Sequence, residues 1–207
     1  MLNAFLQTKR TIKQNKNEFI GWNQGISHYG FWAIEIDDSD WLHYIEKAQA
    51  HLQGFAFPNY KRAPHITLTA CGLMAESHFS KLHLTKQIEA IKQLDIPPFE
   101  ISLGDLSSFT TAMYFAITDE SNSLTGIRTK LNSIAADHPS ENYHPHITLG
   151  LYRDNFKTHD VVKCITEFQQ RHPIKLKPIQ VSSLIFSQYE TEVLQGPFEI
   201  LHRIALN

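Results

Sequence analysis

The pentapeptide Pro-His-Ile-Thr-Leu occurs twice, at Pro64–Leu68 and at Pro145–Leu149. With about 20,000 window pairs in such a chain and about one chance in three million per pair, accident yields roughly 0.01 repeats of this kind. The repetition needs a structural reason. An internal duplication, with each copy at the same place in its half, supplies one.

The flanking elements follow one order twice. The first half reads as strand Tyr29–Ile36, helix Asp40–Gln53, strand His65–Ala70, helix Ser80–Leu94 and strand Phe99–Leu106. Its strands are apolar, while its helices carry stripes such as Trp41, Leu42, Ile45, Ala48 and Leu52. The second half reads as strand Met113–Thr118, helix Ser123–Ala136, strand His146–Leu151, helix Thr158–Gln170 and strands Ile179–Phe186 and Phe198–Leu206. The spacings agree: 32 positions from Ala33 to His65 against 31 from Phe115 to His146, and 36 from His65 to Ile101 against 35 from His146 to Val181. The expected architecture is α+β, with two similar lobes of mixed or antiparallel sheet, helices on their outer faces, and a duplication boundary near residue 110.

Side chains alternate across a strand. Each copy therefore turns His65 with Thr67, and His146 with Thr148, to one face, and its Ile and Leu to the other. If a pseudo-twofold axis relates the lobes, two imidazoles and two hydroxyls converge on one cleft. Imidazoles titrate near neutral pH, so one can accept a proton while the other donates one. Threonine hydroxyls can donate to the oxygens of a tetrahedral anion. A phosphodiester uses such a set: a base for the attacking oxygen, an acid for the leaving oxygen, and donors for the charged oxygens. That chemistry requires no metal ion.

With its doubled H-x-T-hydrophobic motif the chain resembles, from about Tyr29 to Leu206, the 2H phosphoesterase superfamily, which includes bacterial RNA 2',3'-cyclic phosphodiesterases, also called 2'-5' RNA ligases. The resemblance implies a bilobal, mostly antiparallel fold with outer helices and a central cleft, working without a metal or other cofactor. It implies that His65 and His146 are the acid–base pair and that Thr67 and Thr148 bind phosphate, and it leaves open which histidine is the base. The implied substrate is a nucleotide or RNA phosphodiester, such as a 2',3'-cyclic phosphate or a 2'-5' linkage. A catalytically silent binder of nucleotides or RNA ends, and a ligase running the same chemistry backward, are the alternatives. Many RNA-type members carry an arginine two residues beyond the second motif. Here that position is Leu151, the nearest arginine is Arg153, and Arg62 sits just before the first motif.

Further candidates surround the four motif residues. Tyr60, Phe109, Tyr143 and Tyr152 could stack on a base at the cleft mouth, with Tyr152 on the His146 face by alternation. Arg62 and Arg153 could meet phosphate. The chain has 12 histidines, and His144 and His146 flank Pro145, but no HExxH or Cys/His cluster is present, so no zinc site is expected. His144 reads as a loop residue. Cys71 and Cys164 stand far apart and read as inert thiols in a reducing setting.

Composition narrows the partners. A net charge of −2 argues against coating long duplex nucleic acid through bulk positive charge, and leaves room for a small nucleotide or an RNA end. No apolar run approaches the ~18 residues of a membrane span, and no signal-peptide core is present, so a cytoplasmic monomer is expected. Residues 26–207 read as one bilobal domain with intertwined lobes. Residues 1–25, with Lys9, Arg10, Lys13 and Lys16, read as a solvated extension or short helix, although this composition also suits a transit segment.

Overall fold

The computed structural model describes residues 2–14, 21–58, 60–137, 139–140, 142–193 and 195–207. The elements in order are α1 (Leu2–Leu6), β1 (His28–Glu35), α2 (Ser39–Leu52), β2 (His65–Leu73), α3 (Lys81–Gln93), β3 (Phe99–Ser108), β4 (Ala112–Thr118), α4 (Ser123–Asn132), β5 (His146–Leu151), α5 (Thr158–Arg171), β6 (Ile179–Val181), β7 (Ser183–Glu190) and β8 (Phe198–Ala205). The strands form one sheet in the order β6-β3-β4-β5-β2-β1-β7-β8, and every pairing in it is antiparallel. Of the mixed and antiparallel arrangements expected, the second is found.

At the middle of the sheet β2 meets β5 through one residue pair, Ile66 opposite Ile147. On one side of this seam lie β2, β1, β7 and β8; on the other lie β5, β4, β3 and β6. The duplication is real but exchanged. β3 belongs to the first half of the chain and pairs with β4 of the second; β7 belongs to the second half and pairs with β1 of the first. The helices cross as well, since α2 packs on β5 and α4 on β2. The stretch expected as one strand, Ile179–Phe186, is two. It breaks at Ser182, so that β6 pairs with β3 in the second lobe and β7 with β1 in the first. Ladder pairs refine the internal alignment. Ile34 faces Ile66 and Phe115 faces Ile147, so Phe115 corresponds to Ile34 rather than to Ala33.

The helices cover one face of the sheet, and the main core lies between, with Trp32, Trp41, Ile45, Ile66, Leu68, Phe115, Ile147, Leu149 and Phe168 all buried. Asp38 starts α2 by accepting from the backbone N–H of Asp40 and Trp41, which ties off donors the helix cannot satisfy itself. Gln87 of α3 is fully buried in this core. Its amide nitrogen donates to the carbonyls of Leu131 (3.1 Å) and Ala135 (2.9 Å), and its oxygen accepts from Trp32 Nε1 (2.8 Å). It thereby closes the C-terminal end of α4 against β1. Gln87→Leu keeps the volume but strips the bonds from buried Trp32 Nε1–H and the Ala135 carbonyl, while the Leu131 carbonyl keeps the N–H of Ile134, so it is expected to lower stability by about 2 kcal/mol or more. Urea unfolding should show a lower midpoint with an unchanged slope.

The N-terminal segment begins with a short helix, one of the forms expected, but residues 2–14 are not a solvated run. Phe5 is 4% exposed in the core, and Thr11 N–H donates to the Phe156 carbonyl (2.9 Å). Apolar Phe5 gains more from the core than the basic residues gain from carrying it into water. Lys16 lies outside the described residues. Among the described residues, no helix is long and apolar enough to cross a membrane.

Candidate active site

Each residue of the repeated pentapeptide has the same task in both copies. Pro64 and Pro145 precede β2 and β5, where a missing N–H is tolerated, and their carbonyls accept from Ile36 and Ile117 N–H (3.1 and 2.9 Å). The chain bends there so that His65 Nδ1 meets the Ala63 carbonyl (2.8 Å) and His146 Nδ1 meets the His144 carbonyl (2.7 Å). A carbonyl only accepts, so each Nδ1 carries a hydrogen. That leaves Nε2 of each ring as the reactive nitrogen, a base when the ring is neutral and an acid when it is charged. Ile66 and Ile147 are fully buried on the helix face. His65, Thr67, His146 and Thr148 therefore share the other face, and one step from the Ile66–Ile147 pair His65 lies toward Thr148 and Thr67 toward His146.

The final leucine is where each strand bulges. Thr67 pairs with Ala33 and Thr69 with Trp32, so Leu68 is an extra residue; Thr148 pairs with Tyr114 and Gly150 with Met113, so Leu149 is one too. A bulge shifts the alternation by one. This corrects Tyr152. Past the bulge it turns into the core, fully buried, and its hydroxyl bonds Ser108 Oγ. Arg153 is exposed beyond the end of β5, with its backbone N–H on the Phe55 carbonyl, and the structure does not bring it to the histidines.

Both imidazoles sit among aromatic rings. His65 is 8% exposed between Phe31 (centroids 5.4 Å) and Phe198 (5.2 Å). His146 is half-buried, edge-on to Phe109 (5.0 Å) and Tyr114 (5.3 Å), which stack on each other at 4.1 Å. Burial pushes His65 down to about 4; the bond to Ala63 opposes this, and the charges of Arg62 and His146 add to it. Burial also lowers His146, against the bond to His144 and helped by the charge of His144. That His146 acts on His65 at all reflects their closeness across the seam.

Of the other candidates, Phe109 reaches the site as a wall of His146. Arg62 lies near His65 with its guanidinium 4.1 Å above the Tyr189 ring and Nε donating to the Gly196 carbonyl (3.2 Å). Tyr60 and Tyr143 also reach the seam, with their hydroxyls on backbone: Tyr60 on the Thr148 carbonyl (3.4 Å) and Tyr143 on the Thr67 carbonyl (3.0 Å). Leu151, where many RNA-type members carry an arginine, has its N–H on Gln195 Oε1 (3.1 Å). Sequence reasoning missed the framing rings Phe31, Tyr114, Tyr189 and Phe198, and missed Glu35, which pairs with His65 in the ladder and binds Arg203. Alternation along β1 was the available signal for Phe31 and Glu35, since both share the face of Ala33. Among the described residues, no three His, Cys, Asp or Glu side chains gather where they could hold a metal ion.

A duplicated antiparallel sheet with paired His–Thr faces across its seam defines the two-histidine class of phosphoesterases. The sequence profile of the 2'-5' RNA ligase superfamily matches residues 36–190, and the chain belongs to that superfamily. Membership makes it a protein of phosphodiester chemistry. Solved structures agree in fold. E. coli LigT complexed with 3'-AMP is 18% identical over 87% of this chain and 98% of its own, with a TM-score of 0.54. TT0787 of Thermus thermophilus is 13% identical over 86% and 97%, with a TM-score of 0.56. ATU0111 from Agrobacterium tumefaciens, a conserved protein of unknown function, is 13% identical over 87% of each chain, with a TM-score of 0.57. LigT has also been crystallised with phosphate, NADP+ and ATP. None of the curated proteins compared matches the chain significantly.

Proposed function

We propose that the chain is a metal-independent phosphodiesterase acting on a small nucleotide or an RNA end, at a 2',3'-cyclic phosphate or a 2'-5' linkage. The observation that carries this reading is the pair of His–Thr faces across the Ile66–Ile147 seam, with both Nε2 atoms left free by backbone bonds at Nδ1. One neutral imidazole takes a proton from water or a neighbouring ribose hydroxyl as that oxygen bonds to phosphorus. The other, charged, gives its proton to the leaving ribose oxygen as the phosphorus–oxygen bond breaks. Thr67 and Thr148 hydroxyls donate to the non-bridging oxygens as charge builds there. Arg62, stacked on Tyr189 beside His65, adds positive potential to the same region. The same groups serve the joining reaction, whose direction depends on equilibrium and not on the residues.

The test is a panel of 2',3'-cyclic mononucleotides, RNA with a cyclic phosphate end, 2'-5' oligoadenylate and cyclic dinucleotides, each with EDTA present. Turnover of at least one is expected, undiminished by EDTA. Activity lost to EDTA would remove the metal-free mechanism. Tight binding without turnover of any member would make the chain a nucleotide binder instead.

A further inference from the structure

We propose that Tyr143 and Tyr60 are positioning residues that hold the two phosphate-site threonines, each tyrosine reaching across the seam to the motif of the opposite half. This rests on the reading of Thr67 and Thr148 as phosphate ligands. The ladder between β2 and β5 is the single pair Ile66–Ile147, after which the strands part on both sides. Parted strands leave backbone carbonyls in the seam without ladder partners, and a buried carbonyl needs a donor. Tyr143, from the second half, donates to the Thr67 carbonyl at 3.0 Å, and Tyr60, from the first half, to the Thr148 carbonyl at 3.4 Å.

The next carbonyl in each motif, at the bulged leucine, is held the same crossed way. Arg128 of α4 donates to the Leu68 carbonyl at 2.6 Å while its guanidinium covers the Tyr143 ring at 4.6 Å. Gln49 of α2 donates to the Leu149 carbonyl at 3.1 Å. Both successive carbonyls of motif one are thus fixed by the second half, and both of motif two by the first. A threonine hydroxyl is attached to the backbone by two bonds, so a fixed carbonyl and a fixed bulge leave it little freedom except χ1 rotation. Burial raises both tyrosine hydroxyls, that of Tyr60 to about 12, and they remain donors through any working pH.

The experiment uses the full chain and measures affinity for inorganic phosphate by NMR titration, with Tm and kcat/KM followed in parallel. Tyr143→Phe is expected to weaken phosphate binding about fivefold to tenfold, the effect of one lost hydrogen bond. The loss should vanish in a Thr67→Val background and persist in a Thr148→Val background. For Tyr60→Phe the two backgrounds exchange roles. A purely structural tyrosine would lower Tm and weaken binding equally in both backgrounds. That result, or unchanged affinity in Tyr143→Phe, overturns the proposal. Turnover of a cyclic phosphate without this crossed coupling overturns the positioning role and leaves the phosphodiesterase reading standing. Crossed coupling in phosphate affinity without turnover of any phosphodiester does the reverse.

Discussion

His65→Ala and His146→Ala are each expected to lower kcat by about 10²–10⁴-fold while leaving the fold intact. The expectation follows from the two Nε2 atoms. Each Nδ1 is committed to a backbone carbonyl, so each ring has one reactive nitrogen. Circular dichroism should stay native for both variants. Tm should fall more for His65→Ala, because that ring fills a space between Phe31 and Phe198, whereas His146 is half-exposed. The double variant should be little worse than the poorer single one, since an acid without its base has no proton to exchange against. Wild-type turnover in either single variant would remove that histidine from the mechanism. Equal, fully multiplicative losses would mean that the two act separately rather than as a pair.

The motif histidines were legible because strand period is local. Whatever the partner strands, His65 and Thr67 share a face over so short a distance, and Ile66 goes the other way. The repeat then supplied the second set. What followed the motif was not legible, because a bulge is set by pairing with a neighbour. The extra residues at Leu68 and Leu149 depend on β1 and β4, and missing them placed Tyr152 in the cleft although it is a core residue. The lobes were expected to intertwine, but the same limit hid that β3 and β7 are the strands exchanged. Period and composition identify a strand, but its partner is a long-range choice, and Ser182 gives little sign that the chain changes lobes there. Tyr60 and Tyr143 were singled out for their rings, and their hydroxyls are what the sequence does not announce. Ring size suggested stacking, whereas the structure uses the hydroxyls. Gln87 could not be singled out at all, since a glutamine on an amphipathic helix reads as solvated until its three partners are known.

The kcat/KM profile should be a bell centred below pH 6.5, because both imidazoles of the free protein are pushed below the ordinary histidine value, His65 to about 4. Acid–base catalysis needs one ring neutral and one charged, and that state is most populated between the two pKa values, whichever histidine is the base. An anionic substrate between the rings favours their charged forms, so the kcat profile, which reports the complex, should lie at higher pH than that of kcat/KM. Stability follows the same titration. A folded-state pKa below the unfolded one means that, between pH 6.5 and 4, the unfolded chain binds a proton that the folded chain refuses. Stability conferred by neutral burial is then present above the unfolded pKa and is lost as pH falls toward the folded one. For His65 the loss amounts to about 3 kcal/mol at most. His65→Gln has no titrating group, so its unfolding free energy should decline less than that of wild type between pH 7 and 4, by up to that amount. The activity bell therefore lies where the protein is losing stability, and rates must be taken as short pH-jump measurements from a neutral stock. A kcat/KM maximum above pH 7, or the same pH dependence of stability in wild type and His65→Gln, would mean that the two rings titrate as ordinary solvated histidines and that their burial among Phe31, Phe198, Phe109 and Tyr114 is not what sets their chemistry.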